Sequence, residues 1–423
     1  MPSPLRIYSR IPVDWNASIY YRLLKPLRAM FDSGTAEVSI DRGSIELDNN
    51  TRGQLQSFSS INWFYQPIAD AIPQAAEEVR KWPSYWRTEQ EWDVAPHFVM
   101  DTDDDILNVE PANPAFSNLG WQVDGVPLEK DAVVTGVGPY GKKVVMYTDG
   151  ERGFDVEANK QRIEFFKRAL HSVDLVTCST RNVEQYVKRE VPTANTLVIP
   201  NCIDFNDYPK VELAKHPDEV RILWQGAPTH YEDLLNIKDA IKRVHDKYPQ
   251  TTWYFWGGHY DWLYKDLDAS RVVLLPWCDY PEFKLRLSML NFDINIAPLT
   301  NTKFNRCRSA IKMYEAAAVW NPAPTLAENT AQFAEDIVEG ETGFLYNSPE
   351  EFELKLSGLV EDAALRTRVA ANAKDWLRAE RDIQKYLPSI IESFTRLREA
   401  RRNLVGPPPV EIKEPDVEPI SAE

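Results

Sequence analysis

Two clusters of charged side chains in this chain have the types and spacing to do chemistry. In FVMDTDDDIL, residues 98–107, Asp101, Asp103, Asp104 and Asp105 follow a short apolar run. Carboxylates so spaced suit a hard divalent cation, which takes oxygen ligands. Asp also favours helix starts, and a carboxylate at the end of a strand can accept a hydrogen bond or a proton from a hydroxyl. A metal site, a capped solvated loop, and a cleft role for Asp101 or Asp103 are therefore all open. The second cluster is FNRCRSAIKMYEAAA, residues 304–318. Ser309 is a good N-cap and AIKMYEAAA is good helix material. Arg308 lies just before the first turn, Lys312 four residues on and Glu315 three beyond that. On a helix all three project toward one side, with neighbours about 5–6 Å apart. A helix N-terminus with free N–H groups and two cations suits a diphosphate, and no metal is needed there. Glu315, acceptor-only when ionised, suits a pair of sugar hydroxyls. An exposed, salt-bridged helix would have the same spacing.

These residues need a scaffold. From about residue 130 short apolar runs precede longer amphipathic ones, the pattern of strands alternating with helices in a parallel sheet. KKVVMYT (142–148), DLVTCST (174–180) and NTLVIP read as strands, and 158–173 and RNVEQYVKREV as helices, giving two β-α-β units before residue 200. A second series starts at VRILWQG (220–226). It continues with a helix 231–248, strands TTWYFWG and RVVLLP, a helix 280–290, strand FDINIAPL, a helix 309–319 and a helix near 330–338. Between the series lies IPNCIDFNDYPKVELAKHPDE, rich in Pro, Asn and Asp and without periodicity, which suits an interdomain linker. The expected class is α/β, with two doubly wound Rossmann-like domains facing across a cleft. The first covers 1–204, with strands at LRIYS, INWFYQP and APHFVMD and a helix at 18–31; the second covers 205–375. The segment from 363 to 403 reads as helical, interrupted only by Pro388. GPPPVEIKEPDVEPISAE is acidic and aperiodic, so 404–423 is expected to be a disordered tail. Ligands of such sheets sit outside the carboxyl ends of the strands, which puts Asp101–Asp105 at the cleft.

With 423 residues, 43% hydrophobic and 26% charged, the chain has material for two sizeable cores. Its formal net charge of -16 argues against a sequence-independent affinity for nucleic acid or anionic lipid. Cys178, Cys202, Cys278 and Cys307 form no C-x-x-C pair, which fits neither zinc nor a disulfide framework and suggests a reducing, cytoplasmic setting. No run approaches the roughly 20 apolar residues of a membrane span, and the N-terminus lacks a signal-peptide core.

LVIPNCID (197–204), RSAIKMYEAAA (308–318) followed by NPAPTLA, and EGETGFLYNSPEEF (339–352) come in the order and approximate spacing of the GT-B glycosyltransferases. More specifically they resemble the large retaining family called glycosyl transferases group 1, or family 4-like. YYRLLKPL and DTDDDILNVEPANPAF are similar to segments of its phage and bacterial members. The resemblance implies that the second domain holds a nucleotide-diphosphate sugar as donor, with Glu315 on the ribose and Lys312, Arg308 and Ser309 at the diphosphate. It brings Gly226, Ala227 and His230 close to the phosphates. It implies a hexosyltransferase that needs no metal or other cofactor and retains anomeric configuration, the leaving phosphate acting as base for same-face attack. The helix near 376–402 would pack back on the first domain. The acceptor would be a glycan, a lipid-linked sugar or a hydroxymethylated DNA base. The chain departs from the pattern twice: the family's first Glu is replaced by Cys307, and APTHYED stands where an Arg and a Lys usually follow the 220–226 strand. A non-catalytic nucleotide-sugar-binding protein and a sugar-nucleotide epimerase are the alternatives.

Asp101 and Asp103 are candidate catalytic groups, and Asp104, Tyr21 and Arg22, with Tyr20, are candidates for the acceptor side. His230 can contact the donor with Asp233 positioning it, or be exposed beside a helix capped by Thr229. His97 is expected to be structural. Trp253, Trp256, Trp277 and Tyr254 alternate along strands, as core residues do, and Glu341, Thr342 and Gly343 suit a surface turn.

Overall fold

The computed structural model describes residues 4–10, 17–41, 59–65, 97–137, 143–211, 214–258 and 260–404. The expected tail lies outside these apart from Leu404, which ends a helix. Two six-stranded sheets dominate. The first contains Leu5–Arg10, Ala36–Asp41, Ile61–Tyr65, His97–Thr102, Leu175–Cys178 and Thr196–Val198. Its spatial order is 196–198, 175–178, 97–102, 61–65, 5–10, 36–41, all neighbours parallel. The second contains Val220–Gly226, Thr251–Gly257, Val272–Leu275, Ile294–Ala297, Thr325–Glu328 and Phe344–Tyr346. Its order is 272–275, 251–257, 220–226, 294–297, 325–328, 344–346, again parallel throughout. In each sheet the order reverses beside the first strand, between 5–10 and 61–65 and between 220–226 and 294–297. Such switch points open a crevice at the carboxyl edge, so both domains are doubly wound and each has a place for a ligand.

Parallel strands are buried on both faces and read as near-continuous apolar runs. In VRILWQG, Ile222 and Trp224 enter one core with Trp253 and Phe255, while Leu223 enters the opposite core with Trp256 and Met313. The first sheet divides likewise, Tyr8, Phe64 and Met100 against Ile7, Trp63 and Val99. Helix starts follow capping chemistry. Asp155 accepts from Glu157 N and Ala158 N, Thr180 from Val183 N, and Ser348 from Glu351 N.

Four expectations about elements are corrected. KKVVMYT is not a strand of the parallel sheet. Lys143–Tyr147 pairs antiparallel with Val133–Val137, and only one face, with Val134 and Met146, is buried; the helix Val156–Ser172 instead joins the parallel strands 97–102 and 175–178. The helix over 231–248 is two pieces, Tyr231–Leu235 and Lys238–Lys247. The helix near 18–31 contains a π turn, Tyr20–Leu24, immediately before Lys25–Asp32. Pro26 has no N–H to give the carbonyl of Arg22, so the regular ladder cannot run through this point. Finally, the C-terminal helical segment breaks at Arg381 and Asp382 rather than at Pro388, which lies inside Ile383–Leu404. There Ile203 pairs with Asp382, and Ile203 N donates to Arg381 O at 2.8 Å, so the chain crosses between domains twice side by side. Beyond the crossing Ile383, Leu387, Ile390 and Phe394 pack into the first domain's core, Phe394 edge-on to Trp63 at 5.2 Å.

Candidate functional site

The carboxyl edges of the two sheets face one another, and the space between them forms two adjoining cavities of about 120 Å³ and 190 Å³. The smaller is lined from the first domain by Tyr21, Asp103, Asp104, Ser179 and Asn201, and from the second by His230, Leu299, Arg308, Ser309 and Lys312. The larger runs over the second sheet's strand ends, past Gln225, Gly226, Gly257, Trp277, Cys278 and Glu315. Ala17, His230, Ile311 and Lys312 line both, so Lys312 stands at the junction, with Arg308 beside it in the smaller cavity. Gly257 makes this edge possible: Gly258 N donates to Gly226 O at 2.8 Å, and a Cβ on Gly257, whose φ is +99°, would lie 2.6 Å from that oxygen.

The second-domain cluster is built on the helix Ile311–Ala318, which follows the strand 294–297. The expected cap at Ser309 is corrected. The helix starts two residues later with Ala310 at its N-cap position and no side-chain cap, while Ser309 Oγ accepts from Asn201 Nδ2 at 2.8 Å. Lys312 Nζ lies 3.3 Å from His230 Nε2, and His230 Nδ1 lies 2.6 Å from Asp233 Oδ2. Asp233 Oδ1 accepts from Thr300 N at 2.7 Å, which fixes the carboxylate. Burial, then Lys312, push His230 down to about 4, so the imidazole is neutral near pH 7. With Asp233 holding the proton on Nδ1, Nε2 is an acceptor for the Lys312 ammonium. Burial pulls Lys312 itself down to about 8, with Asp233 opposing the fall and Arg308 adding to it. An ammonium crowded by a cation in a cleft lacks a counter-charge, which an anionic ligand would supply. Asp233→Asn removes the acceptor that fixes the tautomer, so anion affinity is expected to fall about ten-fold, the worth of one hydrogen bond to a charged group, in a calorimetric titration.

Glu315 is 4% exposed and already holds three hydrogen bonds. It accepts from Tyr280 at 2.7 Å, Tyr21 at 3.0 Å and Gln225 at 2.8 Å, and burial raises its pKa. Tyr21 comes from the first domain's π turn, so this carboxylate joins the domains. Beside it Tyr20 donates to Asp207 at 2.5 Å, and Lys284 Nζ sits 2.7 Å from the same carboxylate and 3.6 Å from the Tyr20 ring centroid.

The four aspartates separate onto four partners. Asp101, 0% exposed, takes both Nε and Nη2 of Arg22 at 2.9 Å and the Thr177 hydroxyl at 2.5 Å. Arg22 also donates to Asn201 at 3.2 Å and to the Ile199 carbonyl. Neither residue lines either cavity, so the expected catalytic role of Asp101 and acceptor-side role of Arg22 are corrected to an internal ion pair. Asp103 accepts from Tyr65 at 2.6 Å and Asp105 from Asn108 at 2.8 and 3.0 Å. Asp104 reaches across the cleft to Arg308, 3.3 Å from carboxylate oxygen to Nε without hydrogen-bond alignment. Burial pushes Asp104 up to about 7 against the pull of Arg308. Four different partners hold the run, so its carboxylates do not converge on one point, and among the described residues no group of three or more His, Cys, Asp or Glu has the arrangement of a metal site.

The remaining candidates sort plainly. His97 is buried, with Nδ1 3.6 Å from Asp174. Trp253 and Trp256 are core, but Trp277 is 62% exposed at the rim of the larger cavity, unlike the core role read from alternation. The segment around Glu341 and Thr342 turns with Gly340 at φ +72°, and Glu339 pairs with Gly343. Gln225, Asn201 and Tyr280 touch the site and were not singled out by sequence. Gln225 and Asn201 were findable, one preceding Gly226 and the other inside LVIPNCID. No helix of the described residues is long and apolar enough to cross a membrane.

No protein-family model matches the chain, and no curated protein matches it in sequence. Solved structures do. Sucrose-phosphate synthase from Thermosynechococcus elongatus superposes with a TM-score of 0.58 at 12% identity, covering 94% of this chain and 100% of that one. HepE from Anabaena, in complex with UDP and glucose, gives 0.58 at 13% identity over 92% and 99%. A glycosyltransferase from Rickettsia africae gives 0.58 at 10% identity over 93% and 99%. The fold is thus the two-domain GT-B architecture of these glycosyltransferases.

Proposed function

We propose that this protein is a glycosyltransferase that takes a sugar from a nucleotide-diphosphate sugar and transfers it to a hydroxyl acceptor. The observation that carries the reading is the cationic junction. Lys312, held by neutral His230 between the two cavities, and Arg308, paired across the cleft with a carboxylate from the opposite domain, stand beside an uncapped helix start. Cleaving a glycosyl–phosphate bond builds negative charge on the leaving diphosphate, and fixed cations and N–H groups stabilise that charge without a metal. The larger cavity has room beyond the junction for the nucleoside, with Trp277 as a flat apolar rim and Glu315 between rim and cations. A ribose hydroxyl in the larger cavity reaches Glu315 by replacing Tyr280 or Gln225, which line that cavity, while Tyr21 keeps the carboxylate oriented from the other side. HepE, solved with UDP-glucose, shares the fold and supports a nucleotide-sugar donor.

On the other side of the junction Asp103 and Asp104 line the smaller cavity, where an acceptor hydroxyl would approach. Same-face attack with the leaving phosphate taking the proton gives retention, and the anomeric configuration of the product, read by NMR, tests it. A carbohydrate acceptor, free or lipid-linked, fits better than a hydroxymethylated base in DNA, because a net charge of -16 repels the phosphate backbone. Binding without turnover is the second reading. Cys307, where the family has its first Glu, is buried in the first domain's core and brings no carboxylate to the junction.

The deciding experiment is a thermal-shift panel of nucleoside diphosphates and nucleotide sugars in chelator, followed by release of nucleoside diphosphate. A rise in melting temperature with one nucleotide and slow release from its sugar, both unaffected by chelator, are expected. No stabilisation by any nucleotide sinks the donor site, tight binding with no release favours the binding protein, and an isomerised donor favours an epimerase.

A further inference from the structure

The loop that carries Arg308 belongs to the second domain by chain order and to the first by packing. Phe304 is 3% exposed, and its ring lies in a cluster with Val109, Phe116, Met146 and Phe154. These residues come from the lobe that follows the strand 97–102 of the first sheet, a lobe that includes the antiparallel strands 133–137 and 143–147. The backbone N–H groups of Lys303 and Phe304 both donate to Glu110 Oε1, at 2.9 and 3.4 Å. Two residues further on, Asn182 Nδ2 donates to the Arg306 carbonyl at 2.7 Å and Thr180 Oγ1 to the Cys307 carbonyl at 3.2 Å. Every second-domain residue from 303 to 307 except Asn305 is thereby fastened to the first domain by its backbone or its ring. Arg308 comes next, its guanidinium 4.8 Å from the Phe304 ring centroid and 3.3 Å from Asp104.

We infer that Phe304 and Glu110 are positioning residues, through which the lobe that follows the strand 97–102 of the first domain holds the 303–307 loop and aims Arg308 into the smaller cavity, beside Lys312. The inference rests on the donor-site reading for what Arg308 is aimed at. A guanidinium does useful work on an anion only when held within a fraction of an ångström of one geometry. The helix 311–318 alone cannot hold it, because Arg308 precedes the helix in extended conformation, with φ −67° and ψ 141°. A buried ring on one side and a carboxylate on the other supply the restraint. One consequence is mechanical: the domains cannot separate at this edge without either withdrawing the Phe304 ring from its cluster or carrying the lobe along. Donor cations and acceptor-side lobe therefore move as one body.

The test uses the full chain and UDP, GDP and ADP as probes, titrated calorimetrically into wild type, Phe304→Leu, Glu110→Gln, Arg308→Ala and the Phe304→Leu/Arg308→Ala double variant. Phe304→Leu keeps an apolar group in the cluster, and Glu110→Gln keeps an acceptor while removing its charge, so both are expected to fold. Phe304→Leu is expected to weaken the preferred nucleotide about ten-fold in wild type and less than about two-fold once Arg308 is gone, the non-additivity of residues that act through one another. A full further loss on top of Arg308→Ala, or no loss in either background, overturns the inference. If no nucleotide binds wild type, the donor reading fails separately, and hydrogen exchange of amides 300–310 in the ligand-free protein decides. Faster exchange in Phe304→Leu and Glu110→Gln supports the clamp, and unchanged exchange overturns it.

Discussion

Replacing Arg22 with Ala is expected to destabilise the protein by about 3–5 kcal/mol, the cost of stranding a buried partner charge. Asp101 and Arg22 are both wholly enclosed, their side chains 0% exposed, so removing the guanidinium leaves the buried Asp101 carboxylate without its counter-charge. Burial works against the Arg22 charge, but the Asp101 carboxylate more than offsets it, so the guanidinium stays protonated above its ordinary range. The loss reaches beyond the pair, because the same guanidinium ties down Asn201 and the Ile199 carbonyl where the chain leaves the first sheet. In a domain of roughly 200 residues this corresponds to a fall in melting temperature of about 10 °C. Urea denaturation measures it directly. Arg22→Met combined with Asp101→Leu should recover much of the loss, since an apolar pair of similar volume escapes the desolvation penalty. Nucleotide affinity, measured where the variant is still folded, should change little. An Arg22→Ala protein as stable as wild type but defective toward its acceptor would return these two residues to the cleft.

Lys312→Ala is expected to act in the opposite sense, losing activity while keeping or gaining stability. Removing one group that stabilises charge on the leaving diphosphate typically costs about 10²–10³ in rate, so nucleoside diphosphate release should fall by that order. Stability should not fall, because burial draws the Lys312 pKa from 10.5 down to about 8 and the charged form is therefore a burden on the ligand-free fold. The sign follows from linkage. Between about pH 8 and 10.5 the unfolded chain holds a proton that the folded chain has released, so stability rises with pH across that window. The penalty is complete below pH 8, and any stability gained by Lys312→Ala is largest there and fades toward pH 10.5. Donor binding supplies the missing counter-charge and raises the pKa again. Nucleotide affinity of wild type should accordingly weaken above about pH 8, with a proton taken up on binding, whereas Lys312→Ala should show a flat profile over the same range. Calorimetry in buffers of different ionisation enthalpy reads that proton. A steep loss of stability in Lys312→Ala would mean that the ammonium is paired in the ligand-free protein and is not waiting for an anion.

The two variants separate charges that looked alike in sequence. Lys312 and Glu315 were legible because a helix is a local object, and their spacing of three puts them on one side whatever the rest of the chain does. Arg308, expected on the same helix, precedes it in extended conformation, so tertiary contacts and not helical spacing set its direction. Most strands of both sheets were legible for a related reason, since a strand buried on both faces must be apolar along its length, as in VRILWQG and FDINIAPL; the edge strands Ala36–Asp41 and Phe344–Tyr346 were not read. Ser309 failed as a cap because a competing donor, Asn201, sits 108 residues away and takes its hydroxyl. KKVVMYT failed as a sheet strand because its partner, Val133–Val137, lies just before it and closes a hairpin. Local pattern cannot tell a half-buried strand from a fully buried one when both are short.

By itself, then, the sequence determined the periodicities: two series of alternating strands and helices, and one helix that begins with cations. Tertiary structure decided what each charge is for. Asp101, Asp103, Asp104 and Asp105 stand almost adjacent in FVMDTDDDIL, yet residues 22, 65, 308 and 108 respectively engage them. A carboxylate's role depends on whether its nearest charge is enclosed with it or waits across a water-filled cleft, and that distance is fixed by contacts hundreds of residues apart. The same holds for the 303–307 loop, which precedes the second domain's cationic helix in the chain and is held in place by the first.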